Sequence, residues 1–99
     1  MKPLKNIHPG EILSEEFLNP LQLSAYRLAK ETGIPQTRIS EITKGKRRIT
    51  ADTALRLSRY FGNTAKFWLG LQDDFDIEEE SRLKKKELNA IRHYSSHAA

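Results

Sequence analysis

Apolar positions in this chain recur three and four apart and do not alternate, so the pattern predicts helices joined by short turns and no strand. A first helix is expected from Pro9 to Asn19, with Ile12, Leu13 and Phe17 inward and Glu11, Glu15 and Glu16 outward. Pro20 ends it, because a proline inside a helix loses a hydrogen bond and clashes. Ser24 is a good N-cap for a second helix whose apolar face is Leu28 and Ala29, and Gly33 suits the left-handed position at its end. Ile34 points inward, and Pro35 starts a third helix where no N–H is needed. Ile39 and Ile42 form that helix's buried stripe, which leaves Gln36, Thr37, Arg38, Ser40 and Lys44 facing outward.

The same punctuation continues downstream. Thr50 caps a fourth helix over about 51–61, with Ala54, Leu57 and Phe61 on one face and Gly62 behind it. Thr64 opens a fifth, with Phe67, Trp68 and Leu71 inward. A last helix is expected over about 77–94, on a thin stripe of Leu83, Leu88 and Ile91. The predicted fold class is therefore all-α, with five to six helices. The core centres on Leu13, Phe17, Leu28, Ile34, Ile39, Ile42, Ile49, Leu57, Phe61 and Trp68.

Composition narrows the class. The 99 residues suffice for one small domain with a single core. There is no cysteine, hence no disulfide and no cysteine zinc site. No apolar run approaches membrane-spanning length, and the interrupted start MKPLKNIHPGEIL does not suit a signal peptide, so a cytoplasmic location is expected. The net charge of +4 is unevenly spread. Residues 20–66 carry ten Lys and Arg against Glu31, Glu41 and Asp52, residues 67–80 carry six carboxylates and no cation, and the tail from 81 is basic again.

The central excess coincides with the second and third helices, as an electrostatic surface for phosphate should. Lys44-Gly45-Lys46-Arg47-Arg48 puts four cations directly after the third helix. Outward Gln, Thr, Arg, Ser and Lys on such a helix are side chains suited to reading the major groove. Gln36 can bond adenine N6 and N7, and Arg38 guanine O6 and N7, each discriminating by about 1–3 kcal/mol. Thr37 and Ser40 suit a phosphate or a thymine methyl, Lys44, Lys46 and Arg47 suit phosphates, and Ser24 and Arg27 reach the backbone on the groove's other wall. The competing reading of Arg38 is a salt bridge to Glu41 or Glu31, and Arg48, beside Ile49, is expected to brace the turn.

Catalytic readings find little. There is no glycine-rich phosphate loop and no cysteine nucleophile. Adjacent carboxylates such as Asp73-Asp74 and Glu78-Glu79-Glu80 point apart on a helix and form no acid/base pair. His93 and His97 are four apart, but the zinc-protease pattern needs Glu after the first histidine and this chain has Tyr94. No enzyme, cofactor or metal site is expected.

The stretch LAKETGIPQTRISEITKGKR, with Ala29, Gly33, Ile34, Ser40 and Gly45 at matching spacing, resembles the helix-turn-helix of phage-repressor-type (Xre-like) regulators. Outside it, His8-Pro9-Gly10-Glu11 and Phe67-Trp68-Leu69 with Leu71-Gln72 resemble signatures of the HigA or VapI antitoxin subfamily. The resemblance covers about residues 7–80, so a domain over 1–80 is expected, with its helix-turn-helix at about 24–45 and a separate helix or tail over 81–99. It implies a homodimer that binds an inverted-repeat operator in duplex DNA at its own promoter and holds a HigB-type ribonuclease toxin, a ribosome-dependent mRNA endonuclease, inactive. Alternatives are a stand-alone repressor with no toxin and an interaction module that no longer meets DNA. One short helix reads only a half-site, so a dimer is expected, with Phe67, Trp68, Leu71 and Phe75 as its interface residues. Trp68 and Leu71 also suit the monomer core. The toxin contact is placed on the acidic strip 73–80 or on the first helix.

Overall fold

The structure, a computed structural model, describes residues 5–95. Its elements are α1 (Pro9–Ile12), which runs into a π-helical turn (Leu13–Leu18), then α2 (Ala25–Thr32), α3 (Gln36–Thr43), α4 (Ala51–Phe61), α5 (Ala65–Leu83) and α6 (Lys85–Asn89). No strand occurs among the described residues. α2 and α3 pack on each other, α4 lies along α5, and α1 touches both α3 and α5.

The local signals work as their chemistry requires. Ser24 Oγ accepts from Arg27 N at 3.0 Å and Thr64 Oγ1 accepts from Phe67 N at 3.0 Å, each satisfying an otherwise orphaned helix donor. Gly33 and Gly62 adopt φ of 76° and 78°, where a Cβ would be strained. Thr50 holds the N-cap position of α4, yet its side chain makes no capping bond.

Three helices differ from expectation. The first is not α-helical throughout, for Asn19 N reaches back five residues to Ser14 O at 2.9 Å. That wider turn brings Leu13 and Leu18, also five apart, to the same buried side. The expected break before Ile77 does not occur. α5 continues to Leu83, because residues 71–83 hold no proline or glycine and add the close-spaced pair Arg82–Glu79. The expected boundary at residue 80 therefore falls inside α5. α6 stops at Asn89 rather than Tyr94, and Leu83, Leu88 and Ile91 are all exposed.

The core consists of Leu13, Leu18, Leu23, Leu28, Ile34, Ile39, Ile42, Ile49, Ala54, Leu57 and Trp68. Phe17 and Phe61 pack against it from partly buried positions, and their rings stack near Trp68. Trp68 is fully buried, and its indole N–H donates to Asn63 Oδ1 at 2.9 Å. This corrects its assignment to a dimer interface: it belongs to the monomer core. Phe67, expected inward, is 40% exposed instead.

The sequence HPGE has a specific packing role. His8 is the N-cap of α1, its Nδ1 accepting from Gly10 N at 2.9 Å, and Pro9 occupies the first helical turn. A Cβ on Gly10 would stand 1.7 Å from the carbonyl oxygen of Ile42, so only glycine lets α1 lie directly on the end of α3.

Candidate nucleic-acid interface

α3 stands at the surface because Ile39 and Ile42 anchor one face of it while Gln36 and Thr37 are exposed on another. Pro35 occupies the N-cap, its carbonyl accepting from Arg38 N and Ile39 N at 3.0 and 3.2 Å. At the other end Gly45, with φ of 74°, turns the chain, Gly45 N bonding Ile42 O and Lys46 N bonding Glu41 O. Thr37, Ser40, Glu41, Lys44 and Lys46 line one shallow depression, so three of the expected outward residues, Thr37, Ser40 and Lys44, share a surface with the basic turn. Ser40 is half-buried, Lys44 and Lys46 exposed. Among the described residues neither of those lysines has an ion-pair partner.

The arginines behave differently from the lysines. Arg38 turns away from the outward face. Its Nη1 donates to Asp52 Oδ2 at 2.8 Å, and Thr53 Oγ1 lies at 3.4 Å, so the side chain is only 28% exposed. The ion pair foreseen with Glu41 or Glu31 forms with Asp52 instead, fourteen residues away at the start of α4. Asp52 also accepts from Arg56 Nε at 3.1 and 3.3 Å, and Arg56 Nη1 donates to Thr32 O at the end of α2. The hydrogen bonds from Arg38 and Arg56 hold the Asp52 carboxyl below the usual carboxylate range. This network ties α2, α3 and α4 together, and in the free protein it holds Arg38 away from the outward face.

Arg27 is exposed at the start of α2 and pairs with Glu31 at 2.6 Å, a carboxylate that also accepts from the Tyr60 hydroxyl at 2.8 Å. Those two hydrogen bonds lower the Glu31 pKa, and the bond to Glu31 raises that of Tyr60. Arg47 pairs with Glu41 at 3.0 Å. Arg48 bridges to Asp76 on α5, as its bracing role requires. The acidic strip is partly consumed within the chain: Asp76 by Arg48, Glu79 by Asn6 and Arg82, and Glu80 by Lys84. Phe75 is half-buried with the His8 ring edge-on at 4.9 Å, and Leu71 packs on the core, which leaves Phe67 with the largest exposure of the four residues named for a dimer.

Gln72 escaped the sequence reading. It is 2% exposed, and its Oε1 accepts from the buried amide of Ile49 at 2.8 Å. A polar residue within an otherwise inward-facing signature was the available signal. No cluster of three or more metal-ligating side chains occurs among the described residues, and none of their helices is long and apolar enough to cross a membrane. His97 lies outside the described residues.

Comparison with known proteins matches this geometry. The helix-turn-helix family profile covers residues 15–68. Virulence-associated protein I of Dichelobacter nodosus is 51% identical over 86% of this chain and 78% of its own length. An addiction-module antidote protein of the HigA family from Coxiella burnetii superposes with a TM-score of 0.86 at 46% identity, over 92% of this chain and all of that one. The Pseudomonas aeruginosa antitoxin HigA, solved with the higBA promoter, gives 0.87 at 34% identity, again over 92% of this chain and all of that one. The all-helical architecture, the exposed third helix and these relatives together show that the chain belongs to the Xre-type helix-turn-helix family, in the branch of HigA-type antitoxins.

Proposed function

We propose that this protein is a cytoplasmic DNA-binding antitoxin that represses its own operon as a homodimer and neutralises a HigB-type ribonuclease toxin. The observation that carries the reading is the outward face of α3, where Gln36 and Thr37 are exposed and Thr37 shares a depression with the unpaired Lys44 and Lys46, in a chain similar to an antitoxin solved with its promoter. Gln36 is the base reader, by a bidentate bond to adenine, and Thr37 and Ser40 meet a phosphate or a thymine methyl. Lys44 and Lys46 neutralise phosphates, joined by Arg47 and Arg27 once each exchanges its carboxylate for a phosphate. Ser24, already bonded to Arg27 N, aims the start of α2 at the backbone. Two copies then read an inverted repeat, with Phe67 the exposed aromatic that supports their contact. The toxin docks on the first helix. There Ile7 and Ile12 line a groove with Lys5, which pairs with Glu11, and with Glu15 and Glu16, whose two carboxylates leave the rim acidic and suited to a basic ribonuclease.

Two assays test the reading. The small gene beside this one is expressed alone and then with this protein; growth arrest relieved by co-expression, with copurification, supports the antitoxin, and absence of toxicity and of a complex reduces the function to repression. Binding to upstream and scrambled duplexes is measured across salt. Gln36→Ala should shrink the preference for the upstream duplex by about 5-fold to 150-fold. Lys46→Ala should weaken both duplexes and lower the salt slope by about one. Arg38→Ala should leave the preference intact. An unchanged preference in Gln36→Ala, or its collapse in Arg38→Ala, overturns this division of roles.

A further inference from the structure

The two signatures that flank the helix-turn-helix, HPGE and FWLGLQ, converge on the basic turn that follows α3. We propose that Gln72 is a positioning residue for that turn, holding its far end so that Lys46 and Arg47 meet phosphate already ordered. The inference rests on the DNA-binding reading and names a residue which that reading leaves without a role.

The far end of the turn is held by Gln72. Its Oε1 accepts from Ile49 N at 2.8 Å, and its Nε2 donates to Asp76 Oδ1 at 2.9 Å, while Asp76 Oδ2 accepts from Arg48. One side chain of α5 thus fixes the backbone at Ile49 and, through Asp76, the side chain of Arg48. Gln72 and Ile49 are both buried, so no water can replace the glutamine oxygen without entering the core.

The near end lies over His8. The imidazole lies beneath Gly45, 3.8 Å from where a Cβ on that residue would stand. Gly10 closes the same junction against Ile42 O. The His8 ring also rests edge-on against Phe75, and Asn6 Nδ2 donates to Phe75 O at 3.0 Å. One stretch of α5, residues 72–76, therefore reaches both ends of the turn. A turn released from Gln72 must be ordered during binding, and that ordering subtracts from affinity. Phosphate contacts carry no sequence information, so the loss falls equally on specific and scrambled duplexes.

The test uses the full chain and duplexes of its upstream DNA and of a scrambled sequence, well below the melting temperature. Gln72→Met fills the same space and removes the acceptor. It should weaken both duplexes by roughly tenfold with their ratio unchanged, and should speed hydrogen exchange at Ile49 in the free protein. Gln72→Glu alone sets two carboxylates together. Adding Asp76→Asn restores a donor facing the glutamate and leaves an oxygen for Arg48, so the double variant should regain the affinity that Gln72→Glu loses. That pair decides the matter if Gln72→Met fails to fold, provided both variants are measured well below their own melting temperatures, where a loss of stability leaves the folded fraction and hence the affinity unchanged. A wild type that binds its upstream DNA beside a folded Gln72→Met of equal affinity, or a folded double variant without recovery, overturns the positioning role alone. A wild type that does not bind overturns the DNA-binding reading and this inference with it.

Discussion

Replacing Gly10 by alanine sets two physical effects against each other. Intrinsic helix propensity favours alanine by roughly 1 kcal/mol, since glycine in a helix loses more backbone entropy. Packing opposes it. The new methyl would stand 1.7 Å from Ile42 O and 2.5 Å from the carbonyl carbon, both backbone atoms that no rotamer change can move. Contact at about 3.2 Å needs α1 to withdraw from α3 by roughly 1.5 Å, and overpacking of this kind costs about 1–3 kcal/mol, occasionally more. The withdrawal also disturbs the His8 cap and its contact under Gly45. An approach of 1.7 Å to backbone puts the cost at the upper end, about 3 kcal/mol, so packing should win by about 2 kcal/mol, which for a domain of this length lowers Tm by roughly 8–16 °C. Gly70→Ala is the matched control. It is the same substitution inside α5, at a site with nothing within 4 Å of the added carbon, so only propensity acts and Tm should rise by about 2–8 °C. Thermal unfolding by circular dichroism reads both. A Gly10→Ala protein as stable as wild type would refute the close approach of α1 to α3.

Two further predictions concern His8 and Trp68. Burial pushes the His8 pKa below its usual 6.5, against the opposing pull of Asp76 and Glu11, and its Nδ1 must stay unprotonated to accept from Gly10. The unfolded chain therefore binds this proton more readily, and stability present above about pH 6.5 is lost as pH falls through the folded pKa. His8→Asn, which keeps a capping oxygen, should flatten Tm between pH 7 and 5; parallel pH profiles for the two proteins would contradict this assignment. Trp68→Ala should cost about 3–5 kcal/mol, and because the indole is monomer core, the loss should be the same at every protein concentration. A deficit that disappears at high concentration would return Trp68 to a subunit interface.

Much of this protein was legible from neighbouring residues alone. Ser24 and Thr64 as caps, Gly33 and Gly62 as helix ends, and the stripes of Leu28, Ile39, Ile42 and Leu57 all depend on interactions within one helical turn, and such interactions are written in local spacing. The outward row of α3 followed from the same periodicity, and so did its continuity with the basic turn. Spacing could not say where long polar side chains end. Arg38 reaches Asp52, Gln72 reaches Ile49, His8 reaches Phe75 and Gly10 meets Ile42, across separations of fourteen to sixty-seven residues. A flexible arginine or a buried glutamine takes whichever partner folding brings close, and that choice depends on helix packing angles no local pattern encodes. The sequence by itself determined the second, third and fourth helices, their buried faces and the exposed side of the third. Tertiary structure decided what local spacing could not, the engagement of Arg38 and Arg48, because their pairs with Asp52 and Asp76 close between elements that meet only when the core is assembled.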